Sequence, residues 1–167
     1  KKKLSRPVIE QGKLESLFPR RFAQAKQPKI ILSGMRNFEA FLDKDGNFVA
    51  GKSSVIAIPK NKQLSLLTCL GLLNSRLIRF FLQESYGALG VDGGISFSGD
   101  IVESLPLPTG FSGALPLLDE MVKELLGEIS AGKDVSGLLS EIDTAVFDAY
   151  GLSSVDRKVI SECNLKC

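Results

Sequence analysis

Apolar side chains recur with two different periods along this chain, and each period predicts a different kind of element. From Gln63 to Gln83, Leu66, Leu70, Leu73, Leu77 and Phe80 recur every three or four residues, while Leu67, Ile78 and Phe81 widen the stripe. That pattern predicts one largely buried helix. Gly71 inside it costs about 1 kcal/mol relative to alanine, which predicts a close approach by a neighbouring backbone. Short β-rich runs precede the helix at Lys29–Ser33, Phe38–Leu42 and Ser54–Ile58, bounded by Pro28 and Pro59. Asp45-Gly46 predicts a tight hairpin whose partner strand returns through Phe48-Val49-Ala50. Ahead of the strands, Leu14, Leu17, Phe18 and Phe22 fit a short amphipathic helix, but Pro19 interrupts it and leaves two short turns equally open.

After the buried helix, Gly87, Gly90, Gly93 and Gly94 punctuate a loop from Tyr86. Ile95–Phe97 reads as a short strand, and Ser98 or Asp100 is placed to cap a brief helical turn through Ser104. Pro106 and Pro108 end the domain, with a linker at 109–113. Beyond it, Leu115, Leu118, Met121, Val122, Leu125 and Ile129 form one helical face. Leu138, Leu139, Ile142, Val146 and Tyr150 form a second, separated from the first by a Gly132-Lys133-Asp134 turn. Gly151 reads as a left-handed stop, and Ser153 with Asp156 as the cap of a last helix through Ile160. The fold class expected is α+β: a mixed, twisted β-sheet domain with one buried helix over 1–110, then a C-terminal helical region over 111–167.

Composition is that of an ordinary globular chain, 44% hydrophobic and 24% charged. No apolar run approaches the roughly 18 residues of a membrane span, and the Lys-Lys-Lys-Leu-Ser-Arg start has no apolar stretch behind it to make a secretory signal. The first residue is Lys rather than Met, which suggests a segment of something longer. Three cysteines (Cys69, Cys163 and Cys167) without a framework suggest a reducing, cytoplasmic setting, and the absence of histidine argues against zinc. Charge changes the picture more. Residues 1–62 carry a net +9, residues 63–110 a net −2 and residues 111–167 a net −5. A basic part joined to an acidic part suggests one surface built for a polyanion, although solubility charge also clusters.

Signals for catalysis are missing: there is no phosphate-binding Gly-x-x-x-x-Gly-Lys-Ser/Thr loop, no Gly-x-Ser-x-Gly elbow and no histidine for a triad. The carboxylate pairs Asp43/Asp45, Asp119/Glu120 and Glu141/Asp143 read as a turn and two solvated helix faces. Candidate phosphate contacts are Lys26, Lys29, Arg36, Lys44, Lys52, Lys60 and Lys62, at strand ends and turns; each taken singly is also an ordinary exposed cation. Candidates for base contact are Ser33, Arg36, Asn37, Ser53 and Ser54 in the basic part, and Tyr86, Asp92, Ser96 and Ser98 in the glycine-rich part. Arg76 and Arg79 share a helix face and either reach phosphate or pair with Glu84 or Asp100. Asn74 and Ser75, inside an apolar helix, are placed to organise neighbouring backbone rather than to touch a base.

Four of these pieces occur in a telling order: Pro28-Lys29-Ile30-Ile31, Asp45-Gly46, Leu72-Leu73-Asn74-Ser75 and Leu105-Pro106-Leu107-Pro108. Together they resemble the TaqI-like C-terminal specificity (target-recognition) domain of type IIG restriction–modification enzymes and adenine-N6 DNA methyltransferases. The run from Glu141 to Leu152, with its Ile-Asp-x-x-Val element and Tyr-Gly-Leu turn, is similar to the closing helix of the same enzymes. The resemblance implies double-stranded DNA and an upstream methyltransferase domain of the same polypeptide as partners. It also implies S-adenosylmethionine, with Mg2+ as an option, as cofactors of that parent enzyme, with or without endonuclease activity. It implies none of these cofactors for this segment, which lacks the Asn/Asp-Pro-Pro-Tyr/Phe motif of adenine methylation. Two alternatives stay open: a domain of a type I restriction specificity subunit, and a protein-interaction module using the acidic helices.

Overall fold

The computed structural model describes residues 10–34, 38–51, 53–58, 60, 64–86, 97–108 and 114–163. The fold is α+β, with eight helices among the described residues and a three-stranded sheet. Helices α1 (Gln11–Leu17) and α2 (Pro19–Ala25) come first. Pro19 supplies the first residue of α2, a position whose amide would have no helical partner anyway, so it separates two helices without cost.

Strands β1 (Lys29–Ser33), β2 (Ala40–Asp43) and β3 (Ser54–Ala57) lie in the order β2-β1-β3, and both pairings are antiparallel. The mixed sheet expected from sequence is therefore corrected to an antiparallel one. The Asp45-Gly46 turn forms, with Gly46 at φ 66°, but Phe48–Ala50 does not return as a strand. The amides of Asn47 and Phe48 donate to the Asp43 carboxylate at 2.9 and 3.0 Å, so a side chain takes donors that a ladder would need. Gly46 has a further reason to be glycine, because a Cβ there would lie 2.5 Å from the Lys26 carbonyl.

The register gives the sheet two distinct faces. Ile30, Leu32, Ala40, Leu42, Val55 and Ala57 point into the core. The outer face carries three cross-strand rows: Lys29 with Asp43, Ile31 with Phe41 and Ile56, and Ser33 with Ser54.

The apolar stretch expected as one helix is two: α3 (Leu66–Asn74) and α4 (Arg76–Tyr86), broken at Ser75. Ser75 is extended at φ −66°, ψ 153°. Its hydroxyl donates to the Leu72 carbonyl at 2.7 Å and accepts the Ile78 amide at 3.3 Å, so one side chain closes α3 and caps α4. Asp143 accepts the Arg76 amide at 2.8 Å and completes that cap.

Helices α5 (Gly99–Glu103), α6 (Ala114–Ser130), α7 (Ser136–Ala149) and α8 (Ser154–Glu162) follow. Gly132 and Gly151 take φ of 69° and 66° and end α6 and α7 in left-handed turns. Ser153 and Asp156 form the capping box of α8. Helices α6 and α7 share one core with the sheet: Leu118, Val122, Ile142 and Val146 cluster with Ile30, Leu32, Leu70 and Leu72. At Gly71, side chains rather than a backbone make the close approach. A Cβ would lie 2.8 Å from a methyl of Val122 and 3.2 Å from one of Leu118. Helix α3 thus lies between the sheet and the α6–α7 pair. Among the described residues, no helix is long and apolar enough to cross a membrane.

Candidate nucleic-acid interface

Two of the contacts expected in the basic segment come together on the outer face of the sheet. Ser33 and Ser54, both expected as base contacts, are direct cross-strand neighbours there. Ser54 and Ile56 form one wall of a groove of about 250 Å³ whose other walls are Arg21 and Gln24 of α2 and the Val49–Gly51 segment. Arg21 and Gln24 stand three apart and so share a face of α2. Lys26 and Lys44 are exposed on adjoining backbone, since the turn that carries Lys44 rests on the Lys26 carbonyl through Gly46. The Lys26 ammonium lies 5.6 Å above the Phe22 ring.

Lys29 departs from expectation. Its side chain is fully buried and forms an ion pair with Asp43 on the outer face. The ammonium also donates to the Ala25 carbonyl at 2.8 Å and the Gln27 carbonyl at 3.4 Å. Lys29 therefore has no reach to a phosphate, and its charge holds the α2–β1 junction to the end of β2. Burial would raise the Asp43 carboxyl. The Lys29 ammonium and the amides of Asn47 and Phe48 outweigh that effect and bring it down to about 2.

Phe41 and Phe48 pack edge to face beside this pair, with ring centres 5.6 Å apart, and both remain about half exposed. Neither these rings nor Arg21 and Gln24 stood out in the sequence. The available signal was the Arg20-Arg21 pair in a strongly basic segment that reads as a mere lead-in.

The other expected contacts lie elsewhere. The Arg76 guanidinium donates to the carbonyls of Ile160, Ser161 and Cys163 at 2.8–3.0 Å, closing the end of α8. It pairs with neither Glu84 nor Asp100. Arg79 contributes its positive charge beside Asp143; burial raises that carboxyl, while the Arg76 amide and the two arginine charges oppose the rise. The Tyr86 and Ser104 hydroxyls are 3.3 Å apart. Ser98 is exposed just before α5, and the preceding Phe97 amide donates to the Gly34 carbonyl at 2.9 Å, next to Ser33. Lys60 stands exposed, 4.0 Å from Glu103. Arg36, Asn37, Lys52, Lys62, Asp92, Ser96 and the 87–94 glycine loop lie outside the described residues.

A larger cavity of about 590 Å³ opens between β3, α3 and the 105–107 segment, with mostly aliphatic walls. Cys69 lines it. Burial, helped by the Asp119 charge, pushes its thiol up to about 11, so it stays protonated and is no nucleophile at neutral pH. Tyr150, pushed up to about 12 by burial, donates its hydroxyl to the Pro106 carbonyl at 2.7 Å. Among the described residues, no three His, Cys, Asp or Glu side chains gather closely enough to hold a metal ion.

No family model matches the chain, and no curated protein does.

Proposed function

We propose that this chain is the DNA sequence-recognition part of a restriction–modification adenine-N6 DNA methyltransferase, positioning duplex DNA for a catalytic domain outside these residues. The observation that carries the reading is the groove of Arg21, Gln24, Gly51 and Ser54 on the outer face of the antiparallel sheet. It combines a cation, an amide, a hydroxyl and an accessible backbone, the groups that phosphate oxygens and base edges bind. Lys26 ends the helix that carries Arg21, and Lys44 lies in the turn packed against it; both are exposed. Two motif blocks of the resemblance also meet, because Tyr150 of the closing helix binds Pro106 of the Leu-Pro-Leu-Pro exit. In this reading S-adenosylmethionine, with or without Mg2+, belongs to the upstream methyltransferase domain, and the whole enzyme works in the cytoplasm.

Binding of mixed-sequence duplex DNA, measured by fluorescence anisotropy across a salt series, tests the proposal. Affinity should fall steeply as salt rises, because phosphate contacts release counterions. Replacing Arg21 by alanine should weaken binding at every sequence and lower the salt slope by about one unit. Salt-insensitive binding, or no binding by the chain joined to its catalytic domain, overturns the reading.

A further inference from the structure

We propose that Phe48, braced by Phe41, is a stacking contact that takes the face of a nucleobase at a locally unstacked step of the bound duplex. The inference rests on the DNA-recognition reading above and assigns a second kind of contact to the same surface.

Three observations lead to it. First, Phe41 and Phe48 are 46% and 56% exposed, although each ring loses favourable burial by facing water. Their edge-to-face contact at 5.6 Å fixes the relative attitude of the rings.

Second, the backbone beneath Phe48 is held. Its amide donates to the Asp43 carboxylate at 3.0 Å and the Asn47 amide does so at 2.9 Å, while Asp43 is pinned by the buried Lys29 ammonium. A ring fixed before binding gives up little freedom on contact.

Third, the charges nearby favour a polyanion. Val49, the next residue after Phe48, lines the groove with Arg21, and Lys26 and Lys44 flank the turn, with Asp45 in the turn and Glu39, two residues before Phe41, as acidic neighbours. Apolar rings bordered by cations match a ligand with flat apolar faces and a negative backbone, and base–aromatic stacking tolerates any sequence because every base has a π-face. The groove would then fix the backbone while the ring enters an opened step, as apolar wedges do in duplexes they kink.

The chain contains no tryptophan, so Phe48→Trp installs its sole indole. Titrating this variant of the full chain with mixed-sequence duplex DNA should quench the indole strongly, and the quenching should disappear as salt releases the DNA. Phe48→Ala should weaken binding roughly tenfold with the salt slope unchanged, whereas Arg21→Ala changes the slope. Because the ring is exposed, neither Phe48 variant removes a buried side chain. DNA binding with unchanged indole emission, or with Phe48→Ala equal to the parent, overturns the stacking contact and leaves the recognition reading intact. A dimer that Phe48→Ala dissociates without loss of DNA affinity assigns the rings to self-association and overturns it equally. No DNA binding by any variant, in the presence of the catalytic domain, overturns both.

Discussion

Asn74 meets Ala40 with both ends of its side-chain amide: Nδ2 donates to the Ala40 carbonyl and Oδ1 accepts the Ala40 amide, each at 2.9 Å. β2 is an edge strand, and this single side chain imitates one further strand residue along its open edge. Asn74→Ala leaves two half-buried backbone groups unpartnered, with an expected loss of about 2 kcal/mol. Asn74→Asp should not rescue it, because a carboxylate cannot donate to the carbonyl. Urea unfolding should show lower midpoints with an unchanged slope.

Gly71→Ala should destabilise the protein in spite of the better helix former. Alanine gains about 1 kcal/mol in helix propensity, but overpacking costs about 1–3 kcal/mol. The contact at 2.8 Å decides the sign: Val122 is buried and β-branched, so its methyl has no easy alternative rotamer. A net loss of about 1 kcal/mol is expected; a rise in thermal midpoint would show that α6 moves aside freely.

Acid should remove a defined part of the stability. Asp43 is held at about 2 against an ordinary 3.8, so the folded state favours its ionised form. That contribution, about 2 kcal/mol, is fully present above pH 4 and is lost as pH falls from about 4 to 2. Comparing parent and Asp43→Asn by urea unfolding should therefore give a difference that shrinks through this window. A difference constant down to pH 2 would disprove the linkage.

Arg76→Ala should loosen α8 without changing DNA contact. Three carbonyls at the end of that helix lose their donor, so amide exchange should accelerate over 158–163 and stability should fall by about 1–3 kcal/mol. The salt slope of duplex binding should remain that of the parent, in contrast to Arg21→Ala.

What the sequence disclosed was mostly local. The capping box at Ser153, the turn at Gly132, the stop at Gly151 and most of the apolar faces of α6 and α7 depend on neighbours a few residues away, although Ile129 and Leu139, expected in those faces, are exposed. The role of Asn74 and Ser75 as organisers of backbone was also legible, since a polar pair inside an apolar stripe needs partners. The break at Ser75 was not, because the apolar period runs through it while the turn is held by contacts from Leu72, Ile78 and Asp143. Burial of Lys29 is signalled by the residues that follow it. An unbroken Ile-Ile-Leu run marks a central strand covered on both faces, and a lysine beginning such a strand is covered with it. The groove has no local signature, because Arg21 and Gln24 meet Ser54 only after about thirty residues of chain fold back.

With α3 sandwiched between them, the net-negative α6–α7 pair and the sheet, whose outer groove carries Arg21, lie on opposite flanks of one core. Among the described residues, the acidic α6–α7 pair therefore presents a negative flank that repels a polyanion at a distance. A polyanion would be turned away from that flank while still diffusing, before any side chain made contact.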